Sequence, residues 1–148
     1  MKEYTKFRNK NRGYMKLNVW HNAIELHKLV WKIVYGSNRI DFKLRTQIGD
    51  AAQSVSANIA EGYARRSIHE YIQFLYYALG SLGETITRAV GLRETKQISD
   101  EDFGQIDVLH YEVENKLLRL VESLEQKRET GSWQNKLSDE FGEYESQQ

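Results

Sequence analysis

The chain of 148 residues contains no cysteine and no proline. The absence of cysteine excludes disulfides, thiol nucleophiles, thiolate metal sites and iron–sulfur clusters. No apolar run approaches the length of a membrane span, and the first residues lack the apolar core of a signal peptide. We therefore expect a soluble, cytoplasmic protein with one domain and no membrane partner.

Charge is balanced over the whole chain, with 21 basic and 21 acidic residues, but it is unevenly distributed. Residues 1–16 carry six basic residues against one acidic residue, and residues 129–148 carry five acidic residues against one basic residue. The middle, residues 17–128, is nearly neutral and holds the periodic apolar residues. We predict a flexible basic arm at 1–16, a folded domain at 17–128 and an acidic, disordered tail at 129–148.

Four segments in the middle repeat apolar residues at spacings of three and four, which is the period of an amphipathic helix. They run from near Leu17 to Gly36, from about Asp41 to Tyr63, from the cap Ser67 to about Leu92, and onward from the cap Ser99. The first has the widest apolar stripe: Val19, Trp20, Ala23, Ile24, His27, Val30, Trp31 and Val34. Short connections and the absence of period two predict an all-α, antiparallel up-down-up-down four-helix bundle.

Local pairs support this arrangement. Ser67 with Glu70, and Ser99 with Asp102, have the spacing of helix-starting caps. Folding the second segment back on the third about Arg65 places Glu84 opposite Thr46, which predicts a polar contact between those helices.

Catalytic groups are scarce. A di-iron bundle needs Glu-x-x-His pairs, and the chain has none. The nearest metal-ligating set is His27, Asp107 and His110, while His21 and His69 are predicted at the surface. Gly80-Ser81-Leu82-Gly83 lacks the strand and lysine of a phosphate loop, so its glycines predict close helix packing. We expect no catalytic residue, no cofactor and no enzymatic activity.

The basic arm is the strongest indication of a ligand. Its cations alternate with Tyr4, Phe7 and Tyr14, and this combination suits RNA because cations bind phosphates while rings stack on bases. An ordinary solvated terminus is the alternative, and translation starting at Met15 would remove most of the arm. The candidate nucleic-acid-binding residues are Lys6, Arg8, Lys10 and Arg12 in the arm and Lys43, Arg45, Arg65 and Arg66 in a patch around the second helix.

Adjacent aromatic residues indicate a second surface. Tyr76 and Tyr77 follow each other on the third helix and therefore point in different directions. A core of four helices cannot hold all the aromatic residues of the chain, so we predict that this pair lies in an oligomer interface. Tyrosines with solvated hydroxyl groups are the alternative.

Three strings carry a family resemblance: Leu17-Asn18-Val19-Trp20, Asn58-Ile59-Ala60-Glu61-Gly62 and Ala78-Leu79-Gly80-Ser81-Leu82-Gly83-Glu84. With them, residues 17–124 resemble the four-helix-bundle family of 23S rRNA intervening-sequence proteins. The resemblance implies a ring, usually a homopentamer, and no catalytic reaction. It also implies kinship with accessory proteins of diversity-generating retroelements, which engage a reverse transcriptase and nucleic acid. The motif residues with an expected structural role are Asn58, Glu61, Gly62, Gly80, Ser81 and Glu84.

Three functions follow as expectations. The first is a homo-oligomeric adaptor that binds RNA or a ribonucleoprotein, such as a reverse transcriptase complex, through basic surface and arm. The second is a protein scaffold ring without nucleic-acid binding. The third, and least favoured, is a metal-binding bundle.

Overall fold

A computed structural model describes residues 1–37 and 39–133, and within them the protein consists of helices without strands. One 3₁₀ helix spans Lys10–Lys16, and four α-helices follow. They are α1 (Asn18–Tyr35), α2 (Phe42–Ala64), α3 (Ile68–Glu94) and α4 (Asp100–Thr130). The all-α class and the positions of the four α-helices are confirmed. No helix in the described part of the chain combines the length and apolar character needed to cross a membrane.

The predicted helix starts are confirmed. The Ser67 hydroxyl oxygen accepts a hydrogen bond from the Glu70 backbone N–H at 3.3 Å, and that of Ser99 accepts one from Asp102 at 3.0 Å. Asp41 caps α2 in the same way, since its carboxylate accepts from the Lys43 N–H at 3.0 Å. These side chains satisfy backbone donors that have no partner within the first helical turn.

Each α-helix packs against two others: α1 and α3 both lie against α2 and α4. The largest fully buried side chains include Leu26, Ile48, Leu75, Leu82 and Leu117, so all four helices contribute to one core. The predicted stripe of α1 is wrong at Trp31, which is 53% exposed, and it omitted Leu26, which is fully buried. Apolar residues surround most of α1, so their spacing alone left its inward face ambiguous.

Close packing of α2 on α3 depends on Gly62. A Cβ atom built at Gly62 would lie 2.7 Å from the Phe74 Cβ and 3.2 Å from the Tyr71 carbonyl oxygen. Real Cβ atoms do not approach so closely, so only glycine permits this contact without movement of α3. The predicted structural role of Gly62 is supported by this geometry.

Residues 1–16 were expected to be flexible, but the structure folds them against the bundle. The 3₁₀ helix packs against α1 and α2, and Tyr14 contacts the rings of Trp20 and Tyr63 edge-on at 5.4 and 6.2 Å. The chain beyond α4 also returns, since the Trp133 ring lies 6.3 Å from that of Tyr71. The predicted tail begins inside α4, and its residues 134–148 lie outside the described part of the chain.

Candidate nucleic-acid interface

The arm, the start of α1, the α2–α3 turn and the end of α4 meet at one end of the molecule, which we call the arm end. Aromatic contacts join these segments: Tyr14 to Trp20 and Tyr63, Tyr63 to Tyr71 at 5.9 Å, and Tyr71 to Trp133. Such edge-on pairs stabilise packing beyond the area that they bury. The basic arm is therefore held in place by a cluster of aromatic rings.

Within the arm, Arg12 organises the backbone. Its Nη1 atom donates to the Thr5 hydroxyl oxygen at 3.2 Å and to the Phe7 carbonyl oxygen at 3.0 Å. Arg8 lies farther out, where it pairs with Glu3 at 3.3 Å and both side chains are more than half exposed. Lys6 lies over the Phe7 ring at 5.7 Å. Arg12 thus folds the arm, whereas Lys6 and Arg8 face solvent.

The α2–α3 turn adds two cations to the arm end. Arg66 donates from Nη2 to the Asn11 side-chain oxygen at 3.3 Å, so the turn touches the arm directly. Arg66 also has a positive φ of 61°, and its buried Nη1 atom has no hydrogen-bond partner. Arg65 pairs with Glu61 at 3.0 Å and lies 5.0 Å from the centre of the Phe74 ring. Glu61 therefore offsets part of the positive charge of Arg65 and Arg66, and both arginines lie next to the arm.

Lys43 and Arg45 do not belong to this surface, so the prediction of one basic patch around α2 is wrong. They lie at the start of α2, whereas Arg65 lies at its end. A helix rises 1.5 Å per residue, which separates Lys43 from Arg65 by about 33 Å. The sequence spacing already implied this distance, and the grouping by charge overlooked it.

At the start of α2, Arg45 belongs instead to an aromatic cluster that was not predicted from the sequence. Its guanidinium carbon lies 5.3 Å from the Tyr35 ring centre and 5.8 Å from that of Phe42. Trp31 stacks on Tyr35 with ring centres 4.1 Å apart. Phe42 and Trp31 are both more than half exposed. The four-residue spacing of Trp31 and Tyr35 was the available signal, but Trp31 was assigned to the apolar stripe of α1 without Tyr35.

Several motif residues make polar contacts with their own helix or its neighbour. Asn58 donates from Nδ2 to the Ser54 carbonyl oxygen at 2.8 Å. Glu84 was expected to contact α2 opposite Thr46, but it accepts from Arg88 on its own helix at 2.9 Å. Arg88 then reaches α2, where its Nη1 atom donates to the Gln47 side-chain oxygen at 3.0 Å. The link between the helices exists, and Arg88 makes it.

The glycines of α3 do not pack as predicted. A Cβ atom at Gly80 or Gly83 would meet nothing within 4 Å outside its own turn of helix, so no neighbouring helix in the described part of the chain requires either glycine. Ser81 is half-buried, and its carbonyl oxygen accepts from the Thr85 hydroxyl at 2.7 Å. Gly80 and Gly83 therefore leave a shallow gap on the outer face of α3.

The two tyrosines beside this gap are both about half exposed. Tyr76 donates from its hydroxyl to a Glu125 carboxylate oxygen at 2.6 Å, which ties α3 to α4. The Tyr77 hydroxyl oxygen accepts from Gln73 Nε2 at 2.8 Å. The hydrogen bond to Glu125, together with desolvation, raises the pKa of Tyr76.

The histidines are not gathered into a metal site. Within residues 1–37 and 39–133, no three His, Cys, Asp or Glu side chains are placed to share a metal ion. His110 is buried and Asp107 is exposed, while burial lowers the pKa of half-buried His27. His21 was predicted at the surface but is half-buried, and its Nε2 atom donates to the Met15 carbonyl oxygen at 2.6 Å. His69 is exposed, as predicted.

The fold and the site together define a helical bundle with a basic, aromatic arm end. The family model of the 23S rRNA-intervening sequence protein matches residues 15–119. The match covers well over half of the chain, and the chain belongs to that family, which confirms the resemblance. No curated protein matches the chain. The family match leaves residues 1–14, and hence most of the arm, outside it.

Proposed function

We propose that this protein is a non-enzymatic, homo-oligomeric bundle that binds RNA or a ribonucleoprotein through its arm end. The observation that carries the proposal is the placement of the arm cations beside exposed aromatic rings and next to the α2–α3 turn. Phe7 is 66% exposed, and Arg8 is more than half exposed. Exposed cations neutralise phosphates, and an exposed ring stacks on an unpaired base. By the family resemblance, a reverse transcriptase complex is one such ribonucleoprotein.

The proposal includes an antiparallel up-down-up-down arrangement of the four α-helices. Contacts between α3 and α4 support it, because Tyr76 pairs with Glu125 whereas Leu82, farther along α3, pairs with His110, which is earlier in α4. The two helices therefore run in opposite directions. Gly62 and Phe74 near the α2–α3 turn, with Gln47 and Arg88 far from it, give the same relationship for α2 and α3.

Homo-oligomerisation is supported by the outer face of α3. Tyr76 and Tyr77 are half exposed beside Gly80 and Gly83, where no neighbouring element among residues 1–37 and 39–133 fills the space. Aromatic residues next to small ones allow two helices to approach closely and bury large rings. A ring of several copies, with a pentamer as the expected number, would place several basic arms on one assembly and raise its avidity for RNA.

A protein-only scaffold is the second candidate, and the Arg45 cluster favours it. Trp, Tyr and Arg dominate the residues that carry binding energy in protein interfaces, and Trp31, Tyr35 and Arg45 occur together here. This cluster lies at the opposite end of α2 from the arm end. Its position allows a protein partner to bind independently of RNA.

The test is light scattering of the purified protein with and without structured RNA across a salt series. The arm variant changes Lys6, Arg8, Lys10 and Arg12 to Gln. A control variant removes the same charge elsewhere by changing Lys28, Lys32, Lys43 and Arg119 to Gln. We expect the arm variant to bind RNA much more weakly than the control variant does, with the logarithmic salt slope of its residual binding reduced by about three.

Three outcomes contradict the proposal or part of it. The protein-only scaffold would be favoured if the unchanged protein and both variants form oligomers but none of them binds RNA at any salt concentration. A monomeric unchanged protein would remove the oligomer from the proposal. Equal loss in both variants would show that binding depends on total charge and not on the arm end.

A further inference from the structure

The folded arm encloses a cleft against the start of α1. The cleft has a volume of about 170 Å³, far above the roughly 10–15 Å³ that one water molecule requires. Four cations line it against a single carboxylate, that of Glu3. They are Lys2, Arg8, Arg12 and Lys16.

The aromatic wall of the cleft is held in place. Tyr4 lies edge-on to Trp20 at 5.5 Å, and its hydroxyl donates to a Glu25 carboxylate oxygen at 3.2 Å. Desolvation, with the hydrogen bond to Glu25, raises the pKa of Tyr4 above its ordinary value of 10.0. A phenol is neutral near pH 7, so Tyr4 adds no negative charge to the cleft. Phe7 lines the cleft as well, and most of its ring is exposed.

We propose that this cleft is a nucleotide-binding site, in which Lys2, Arg8 and Lys16 bind a phosphate group and Phe7 stacks on the attached base. The inference rests on the proposed function, since the ligand of the cleft is one nucleotide of the single-stranded RNA that the arm end binds. A duplex does not fit, because its bases are already stacked on each other. Cations that line one cleft can supply charge-assisted hydrogen bonds to a phosphate group, and such bonds are the strong ones in proteins.

Comparing two cations of the arm distinguishes binding in a defined cleft from attraction to the overall positive charge of the arm. Arg8 lines the cleft, whereas Lys6 lies in the same arm but outside the lining. Neither side chain makes a contact that the bundle needs, because Arg8 pairs with exposed Glu3 and Lys6 lies over exposed Phe7. Replacing either residue by Gln removes one charge from the same stretch of surface. The comparison of Arg8→Gln with Lys6→Gln is therefore matched.

The experiment is an amide NMR titration of the full chain with inorganic phosphate, uridine 5′-monophosphate and a short single-stranded RNA. We expect shifts confined to the cleft and about tenfold weaker binding of all three probes by Arg8→Gln. For inorganic phosphate and the mononucleotide, we expect less than about twofold change by Lys6→Gln. Glu3→Gln should tighten binding, because it releases Arg8 from its carboxylate. Equal losses in the two Gln variants would overturn the cleft while leaving RNA binding by the arm intact.

Phe7 provides a second and independent comparison. Phe7→Ala should weaken the nucleotide and the RNA about tenfold and leave inorganic phosphate unchanged, because only the base stacks. Phe42→Ala removes an equally exposed ring at the other end of α2 and should change none of them. Loss of phosphate binding in Phe7→Ala would contradict the stacking role. Binding of phosphate and nucleotide without binding of RNA would retain the cleft and overturn the proposed function.

Discussion

The imidazole of His110 on α4 donates from Nε2 to the backbone carbonyl oxygen of Leu82 on α3, across 2.6 Å. His110 is 3% exposed and Leu82 is fully buried, so this hydrogen bond crosses the centre of the α3–α4 contact. A buried ring nitrogen needs a partner, and here the partner belongs to the backbone of another helix. The geometry makes His110 a structural residue rather than a ligand.

His110→Ala is therefore predicted to lower the free energy of unfolding by about 2–4 kcal/mol. The change removes a buried hydrogen bond and leaves a cavity between α3 and α4. Urea unfolding followed by circular dichroism measures the difference. His69→Ala, at an exposed position of α3, is the control and should change the stability by no more than about 0.5 kcal/mol. Equal effects of the two variants would contradict the structural role of His110.

Gly62 and Gly80 are predicted to respond in opposite directions to the same substitution. Gly62→Ala forces the new Cβ against Phe74, so it should destabilise the protein by about 1–2 kcal/mol after the gain in helix propensity. Gly80→Ala meets no neighbour in the described part of the chain and should stabilise the folded chain by up to about 1 kcal/mol. Thermal unfolding of both variants at equal protein concentration tests this. A gain in stability from Gly62→Ala would disprove close packing at that position.

Lys96 occupies a position suited to glycine. The Gln97 N–H donates to the Leu92 carbonyl oxygen at 2.8 Å and the Lys96 N–H donates to that of Arg93 at 2.8 Å, the pattern of a Schellman motif. Lys96 accordingly has a φ of 60°, which costs a residue with a side chain about 1 kcal/mol. Gly131 ends α4 with the same geometry, at a φ of 66°.

Lys96→Gly should consequently raise the free energy of unfolding by about 1 kcal/mol, and Gly131→Ala should lower it by about the same amount. Both changes act at the end of a helix and leave the core untouched, so each serves as the control for the other. Chemical denaturation measures the two midpoints. A loss of stability in Lys96→Gly would show that contacts of the lysine side chain outweigh the backbone strain at this turn.

Signals between residues close in sequence were sufficient to predict the helices. The candidate site depends on contacts between residues far apart in the chain, and these could not be inferred from the sequence. Ser67 and Ser99 mark helix starts because a cap acts on the next few residues only. The arm was expected to be mobile because of its charge and its terminal position. The contacts that fold it, such as Tyr14 on Tyr63, join residues far apart in the chain and leave no local signal. The cleft between arm and α1 was unpredictable for the same reason. Lys43 and Arg65 were grouped by charge, although the helix rise alone separates them.

The same distinction explains the surface of α3. Periodicity showed that Tyr76 and Tyr77 point in different directions, and both are half exposed. It did not show that Tyr76 would pair with Glu125, 49 residues away. It also led to the expectation of close helix packing at Gly80, where the described part of this chain leaves open space. A small residue indicates that another element approaches closely, but it does not identify that element.

Replacing Tyr76 and Tyr77 together by Ser is predicted to lower the mass of the assembly. The change removes two large rings from the face proposed for the interface, and the Ser hydroxyls keep it polar. Light scattering coupled to size exclusion measures the mass. Tyr111→Ser on α4, where Tyr111 is 63% exposed, is the control and should leave the mass unchanged. An unchanged mass of the double variant would exclude these tyrosines from the interface.

The hydrogen bond from Tyr76 to Glu125 predicts a dependence of stability on alkaline pH. This bond holds the phenol protonated, with help from desolvation and the charge of Glu125, so the pKa of Tyr76 is raised above its ordinary value of 10.0. The folded protein then binds this proton more tightly than the unfolded chain does. The stabilisation is complete below pH 10 and is lost as pH rises through the raised pKa.

Glu125→Gln should return the pKa of Tyr76 toward 10.0 and remove that part of the alkaline loss. Arg128 acts in the opposite sense, because its positive charge lowers the pKa of Tyr76. Arg128→Gln should therefore raise this pKa further, and the two variants give shifts of opposite sign at the same phenol. Titration of the Tyr76 ring carbon by NMR measures both. Shifts of the same sign in the two variants would show that the phenol does not pair with Glu125 in solution.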